Sequence, residues 1–161
     1  MHGMDTNVTR WYVAVVRVLL LLTAVAKLLS VAGEARFLAV PDPVFLLPTR
    51  AVLLMAALTE LAVAAYLTWG RSPTLKHGIL LWLACVFLVY RGTLRFASPS
   101  TPCRCLGWVG DLVPVPPHFL ERGLEAVLIG ILIGSGLSLW RLRRIAPSRE
   151  TPAEPSPVRA E

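Results

Sequence analysis

Apolar residues come in four blocks of about 20 along the chain, separated by short stretches rich in Pro, Gly and charge. The blocks run from about Trp11 to Ala32, Pro48 to Trp69, His77 to Phe96 and Phe119 to Trp140. Each is long enough, as an α-helix rising about 1.5 Å per residue, to cross the hydrocarbon core of a bilayer. The pattern predicts an all-α, integral membrane four-helix bundle over residues 1–145. Pro41, Pro43 and Pro48 punctuate the first connection. Pro48 suits the opening of the second helix, where a missing N–H costs nothing. Gly70, Arg71, Ser72 and Pro73 form the next turn, and the longest connection spans Ala97 to His118. After Arg141 the chain reads RLRR and then a Pro-, Ser- and Glu-containing tail. Residues 146–161 have too little apolar surface to fold and are expected to be disordered.

A cleaved signal peptide is the rival reading of the first block, with Arg10 as its basic region and Val18 to Ala26 as its apolar core. Lys27 interrupts the approach to a cleavage site at Ala32, Gly33 and Ala35, and the block exceeds a signal core in length, so a retained helix is preferred. Of the 161 residues, 55% are hydrophobic and 16% charged, too apolar a mixture for a soluble domain. Four spans leave no room for a separate catalytic domain. The net charge of +6 does not point to nucleic acid, because the basic residues gather at block ends and in the tail.

Those basic residues also predict orientation. Arg10, Arg71, Lys76, Arg141, Arg143 and Arg144 lie on the side shared by both termini, against Arg36, Arg50, Arg95 and Arg104 on the other. The positive-inside rule places both termini in the cytoplasm and the Ala97–His118 connection outside. Trp11, Trp69 and Trp140 stand at block ends on one side, as interfacial anchors do. Trp108 is placed to dip into the opposite interface, and Trp82 is expected to pack within the bundle.

The most specific chemical signal is Cys103-Arg104-Cys105 in an oxidising compartment. A C-x-C disulfide closes a tight ring, and departures from relaxed geometry make such a bond easier to reduce. Arg104 between the sulfurs, with Arg95 upstream, favours the thiolate, the nucleophilic form. The pair can exchange with a partner thiol or merely staple the loop. A metal site is disfavoured, because two sulfurs with only Asp111 and His118 nearby fall short of the ligand sets of zinc or copper. Cys85, in the third block, is expected to be an inert buried residue.

Ionisable residues inside spans are costly and are therefore candidates for function. Lys27, Glu60 and Arg91 fall one each on helices one, two and three. They are expected to line an intramembrane polar pocket, for which a quinone is one occupant, or to lock the bundle as a structural ion pair; Lys27 and Arg91 can also snorkel to the interface. On the fourth block Ala126, Gly130, Gly134 and Ser138 recur every fourth position. Such a ridge permits close helix contact, within the bundle or, through Gly130 and Gly134, in a homodimer. A transporter is disfavoured, because only Glu60 supplies a midplane carboxylate and no pair of helices is broken by Gly or Pro.

These features in order resemble the MauE branch of the DoxX-like membrane proteins, the methylamine utilisation protein MauE family. The resemblance covers roughly residues 11–140. It rests on Lys27 late in helix one, Glu60 in helix two, Arg91-Gly92 late in helix three, and Cys103-x-Cys105-x-Gly107. The family pattern around the cysteines resembles CGCFG, and here Arg104 and Leu106 replace its Gly and Phe. The resemblance implies a four-helix bundle in the bacterial cytoplasmic membrane that assists thiol–disulfide maturation of an exported partner beside a thioredoxin-like protein. A non-catalytic membrane scaffold or assembly factor is the alternative.

Overall fold

The computed structural model describes residues 2–33, 36–97 and 117–145, and they form four long helices and one short 3-10 turn. Helix α1 spans His2–Ala32, α2 Thr49–Trp69, α3 Pro73–Ala97 and α4 Pro117–Ile145, with the 3-10 turn at Arg36–Ala39. The architecture is all-α. Each helix contains a segment long and apolar enough to cross a membrane, namely 7–32, 49–69, 73–97 and 121–144, as in a multi-pass membrane bundle. Helices α1, α3 and α4 extend past the apolar blocks by which they were recognised. The block marks where hydrocarbon would begin, and the backbone keeps its helical hydrogen bonds into the polar flank. Thus α1 begins near the N-terminus, α3 opens on Pro73, whose absent N–H is harmless there, and α4 carries the RLRR segment as its last turns.

Helix α1 packs along α2 and α3 along α4, whereas contacts between the two pairs are few. The two pairs are joined toward the end of the molecule that carries both termini. There Val16, Leu20, Val63, Ala64, Leu67, Leu80, Leu83, Ala84 and Ile131 form a core to which all four helices contribute. Glycine makes two of the tight contacts. Gly70 ends α2 with its N–H on the Tyr66 carbonyl at 2.7 Å, where a Cβ would sit 2.6 Å from that oxygen. Gly134 on α4 lets the Tyr12 ring approach to 2.9 Å of where its Cβ would be.

At the opposite end, the connection between α1 and α2 folds back over the bundle. Asp42 organises it: Oδ1 accepts the N–H groups of Val44 (2.9 Å) and Phe45 (3.0 Å), and the Asp42 carbonyl accepts the Leu46 N–H at 2.8 Å. Leu46 takes φ 56°, a left-handed conformation that a branched side chain adopts only when its neighbours hold it there. Thr49 ties the far side of the loop to the Val40 carbonyl through both its N–H and its hydroxyl.

Two expectations about side-chain direction are corrected. Cys85 is exposed on the bundle perimeter, and Trp82 is 59% exposed rather than packed within. In a membrane span the inward and lipid-facing sides are both apolar, so hydrophobicity alone does not assign a face. The small-residue ridge on α4 is divided. Gly134 meets Tyr12 of the same chain, while nothing stands within 4 Å of a Cβ at Gly130.

Candidate functional site

An ammonium and a carboxylate placed in an apolar interior are stable only against each other. Lys27 Nζ on α1 donates to both carboxylate oxygens of Glu60 on α2, at 2.8 and 2.9 Å, and the two residues are 5% and 3% exposed. Thr23, one helical turn before Lys27, stands 3.2 Å from Glu60 Oε2. Its single hydroxyl proton is shared between that oxygen and the carbonyls of Leu19 and Leu20. Lys27 also lies 5.9 Å from the centroid of the Phe87 ring on α3, a long cation–π contact. The helix spacing explains the assembly. Thr23 and Lys27 are four residues apart and so share the face of α1 that looks at α2.

A second polar group caps the same region. Tyr90 on α3 donates its hydroxyl to Asp42 Oδ2 at 2.5 Å and stacks on Phe45 with centroids 5.6 Å apart. Asp42, only 4% exposed, therefore has both carboxylate oxygens occupied, and the α1–α2 connection is latched onto the end of α3. One residue further along α3, Arg91 donates through Nη2 to the Glu121 carbonyl of α4 at 3.0 Å. Arg95, a turn beyond, faces Glu125 at 3.9 Å, an exposed pair that holds the helix ends weakly.

Between these groups lies a cavity of about 660 Å³. Its wall is mainly apolar, and Lys27, Glu60, Tyr90, Asp42 and Arg91 are its polar landmarks. Lys27, Glu60 and Arg91 thus border one cavity, but not as one cluster. The first two neutralise each other, while Arg91 bonds to a backbone carbonyl and retains most of its N–H donors. A quinone would fit the volume and the apolar wall, but its two neutral carbonyls would depend mainly on Arg91 for donors. Tyr90 has committed its proton to Asp42, and Lys27 is engaged with Glu60. A guanidinium with donors to spare is better matched to an anionic oxygen.

Sequence reasoning missed Asp42 and Tyr90, and it also missed a separate cluster at the other end. There Tyr12 on α1 donates to the Ile131 carbonyl (3.0 Å), shares a hydrogen bond with Ser135 Oγ (2.9 Å) and stacks on His77 of α3 with centroids 6.0 Å apart. His77 is 1% exposed, and its Nδ1 has no hydrogen-bond partner. The available clue was modest: a Tyr, a His and a Ser within apolar runs, none of them costly enough to demand explanation.

Cys103, Arg104, Cys105 and Gly107 lie outside the described residues, as do Trp108, Asp111 and the tail at 146–161. The ends of the cysteine-bearing connection are described: α3 ends at Ala97 and α4 begins at Pro117, at the end of the bundle where Arg91 meets Glu121. Among the described residues no three His, Cys, Asp or Glu side chains come together as a metal site would need. No protein-family model, no curated protein and no solved structure matches the chain.

Proposed function

We propose that this chain is a multi-pass membrane protein that assists thiol–disulfide maturation of an exported partner, with Cys103 and Cys105 as the exchanging pair. The observation that carries the reading is the C-x-C motif itself, with Arg104 between the sulfurs, in the connection from α3 to α4. Both termini of the bundle then face the cytoplasm, as the distribution of Arg and Lys favours. The resemblance to MauE-like proteins supports the same class of activity.

In the exchange, a thiolate of the partner attacks one sulfur of the Cys103–Cys105 disulfide, forms a mixed disulfide and releases the other cysteine as a thiolate. A second partner thiolate then attacks its own sulfur in that bond. The partner leaves oxidised, and Cys103 and Cys105 hold its two electrons as thiols. A thioredoxin-like protein with an oxidised dithiol site takes those electrons by the reverse sequence and regenerates the pair. Arg104 lowers the cost of each thiolate by proximity of charge. The bundle supports the ends of the connection through Arg91 and Arg95 on α3 and Glu121 and Glu125 on α4.

The test is Cys105→Ser in the full-length chain, assayed for exchange with a dithiol peptide and for mixed disulfides in membranes. Loss of exchange, with the remaining Cys103 trapping a partner, is the expected result. Undiminished exchange overturns the reading.

A scaffold without thiol chemistry is the second reading, and one observation favours it. Both oxygens of Glu60 are held by Lys27, so the pair is a closed unit that can lock α1 to α2 with no further role. On that reading the cysteines remain a permanent staple.

A further inference from the structure

We propose that the cavity between the two helix pairs binds an anionic phospholipid, with one acyl chain in the cleft and the headgroup phosphate on Arg91. This goes beyond thiol exchange and stands or falls independently of it.

Access comes first. The two helix pairs touch sparingly, and the cavity reaches the perimeter on the side of α2 and α3. Met55 on α2 and Trp82 and Val86 on α3 line it while remaining 48%, 59% and 42% exposed. On a helix bundle in a bilayer that perimeter faces lipid, so the cleft opens sideways into the membrane, and an occupant arrives from the acyl layer rather than from water.

Shape and polarity narrow the occupant. A volume of about 660 Å³ is that of a ligand site rather than a packing defect. Its wall follows α1 from Lys27 to Val16, about 16 Å of helix at the standard rise per residue. Leu20, Leu80 and Ile131 line the part nearer the termini, and Tyr90 and Arg91 the part nearer the connections. An amphiphile with one aliphatic chain and a small head matches that gradient.

Charge decides the head. Asp42 already accepts hydrogen bonds from Tyr90, Val44 and Phe45, and Glu60 accepts from Lys27. Lys27 is neutralised in the same contact. Among the described residues that line the cavity, Arg91 is the cation whose charge no carboxylate balances, its one hydrogen bond going to the Glu121 carbonyl. A guanidinium with several unused N–H groups pairs with phosphate in a fork geometry, and its unbalanced charge favours a head of net negative charge over one whose phosphate is already balanced by a choline ammonium.

The experiment is lipid retention by the full-length chain in nanodiscs of phosphatidylglycerol or phosphatidylcholine, followed by transfer to detergent and native mass spectrometry. Wild type is expected to keep phosphatidylglycerol in preference to phosphatidylcholine. Arg91→Gln should lower that retention about tenfold, the size of a lost charge-assisted hydrogen bond, and Arg91→Lys should recover part of it. Ala56→Trp keeps every polar group and fills only the cleft, so it should abolish retention. Arg95→Gln, an exposed cation one turn away and outside the cavity wall, should leave retention unchanged. Equal retention of the two lipids, or unaltered binding in both Arg91→Gln and Ala56→Trp, overturns the proposal. So does displacement of the phospholipid by oleate at equal concentration, because the head would then be a carboxylate. Thiol exchange by Cys103 and Cys105, assayed on the same samples, reports separately on the proposed function.

Discussion

The two ends of the bundle handle buried polarity in opposite ways. Toward the termini, Tyr12 reaches from α1 to the Ile131 carbonyl and Ser135 of α4, lies against Gly134, stacks on His77 and packs against a core to which all four helices contribute. Toward the connections, Lys27 with Glu60, Asp42 with Tyr90, and Arg91 with the Glu121 carbonyl stand around open space. Polar side chains serve as fasteners at one end and as the rim of a cavity at the other. Fold stability and ligand chemistry are therefore separable by position, and substitutions at the two ends should have different signatures.

The largest effect is expected at the ion pair. Lys27→Ala leaves the Glu60 carboxylate buried without its counter-charge and should cost about 3–5 kcal/mol, read as a lowered unfolding transition in detergent. Replacing both partners, as Lys27→Met with Glu60→Leu, should restore wild-type stability or exceed it, because a matched apolar pair avoids desolvating two charges. If the double variant is as unstable as the single one, the pair does more than satisfy itself.

The packed end should show an intermediate effect. Gly134→Ala pushes a methyl group to 2.9 Å from a Tyr12 ring already fixed by its hydroxyl, an overpacking cost of about 1–3 kcal/mol. Gly130→Ala, four residues earlier with nothing within 4 Å, should be neutral or stabilise by up to about 1 kcal/mol through helix propensity. The smallest of the destabilising effects belongs to Tyr12→Phe, which removes one hydroxyl and should cost about 1 kcal/mol in the same melts. Equal responses at Gly130 and Gly134 would erase the distinction between a tied and an open stretch of the ridge on α4.

The four helices were legible because a bilayer allows few alternatives: a block of about 20 apolar residues must satisfy its backbone internally, as a helix does. Lys27, Glu60 and Arg91 were legible as candidates for the same reason, since charge in such a block is costly. Which of them would pair was not legible. Lys27 and Arg91 have similar reach toward Glu60, and only the packing of α1 on α2 decides between them. Asp42 escaped notice because it sits in a proline-rich connection and reads as solvated, whereas the fold buries it under Tyr90. Cys85 and Trp82 were turned the wrong way because a lipid-facing surface and a protein core select the same residue types.

The central claim is that Cys103 and Cys105 exchange electrons with a partner outside the cytoplasm, and thiol trapping tests it most directly. Intact cells would be treated with a membrane-impermeant alkylating reagent before and after mild reduction, and the labelled chain resolved by mass. The account expects both cysteines to be reachable from outside and to be distributed between reduced and oxidised forms, the balance shifting when the reductant is added. A pair that stays oxidised throughout would make it a staple and give precedence to the scaffold. Labelling only after the membrane is opened would contradict the orientation on which the exchange depends.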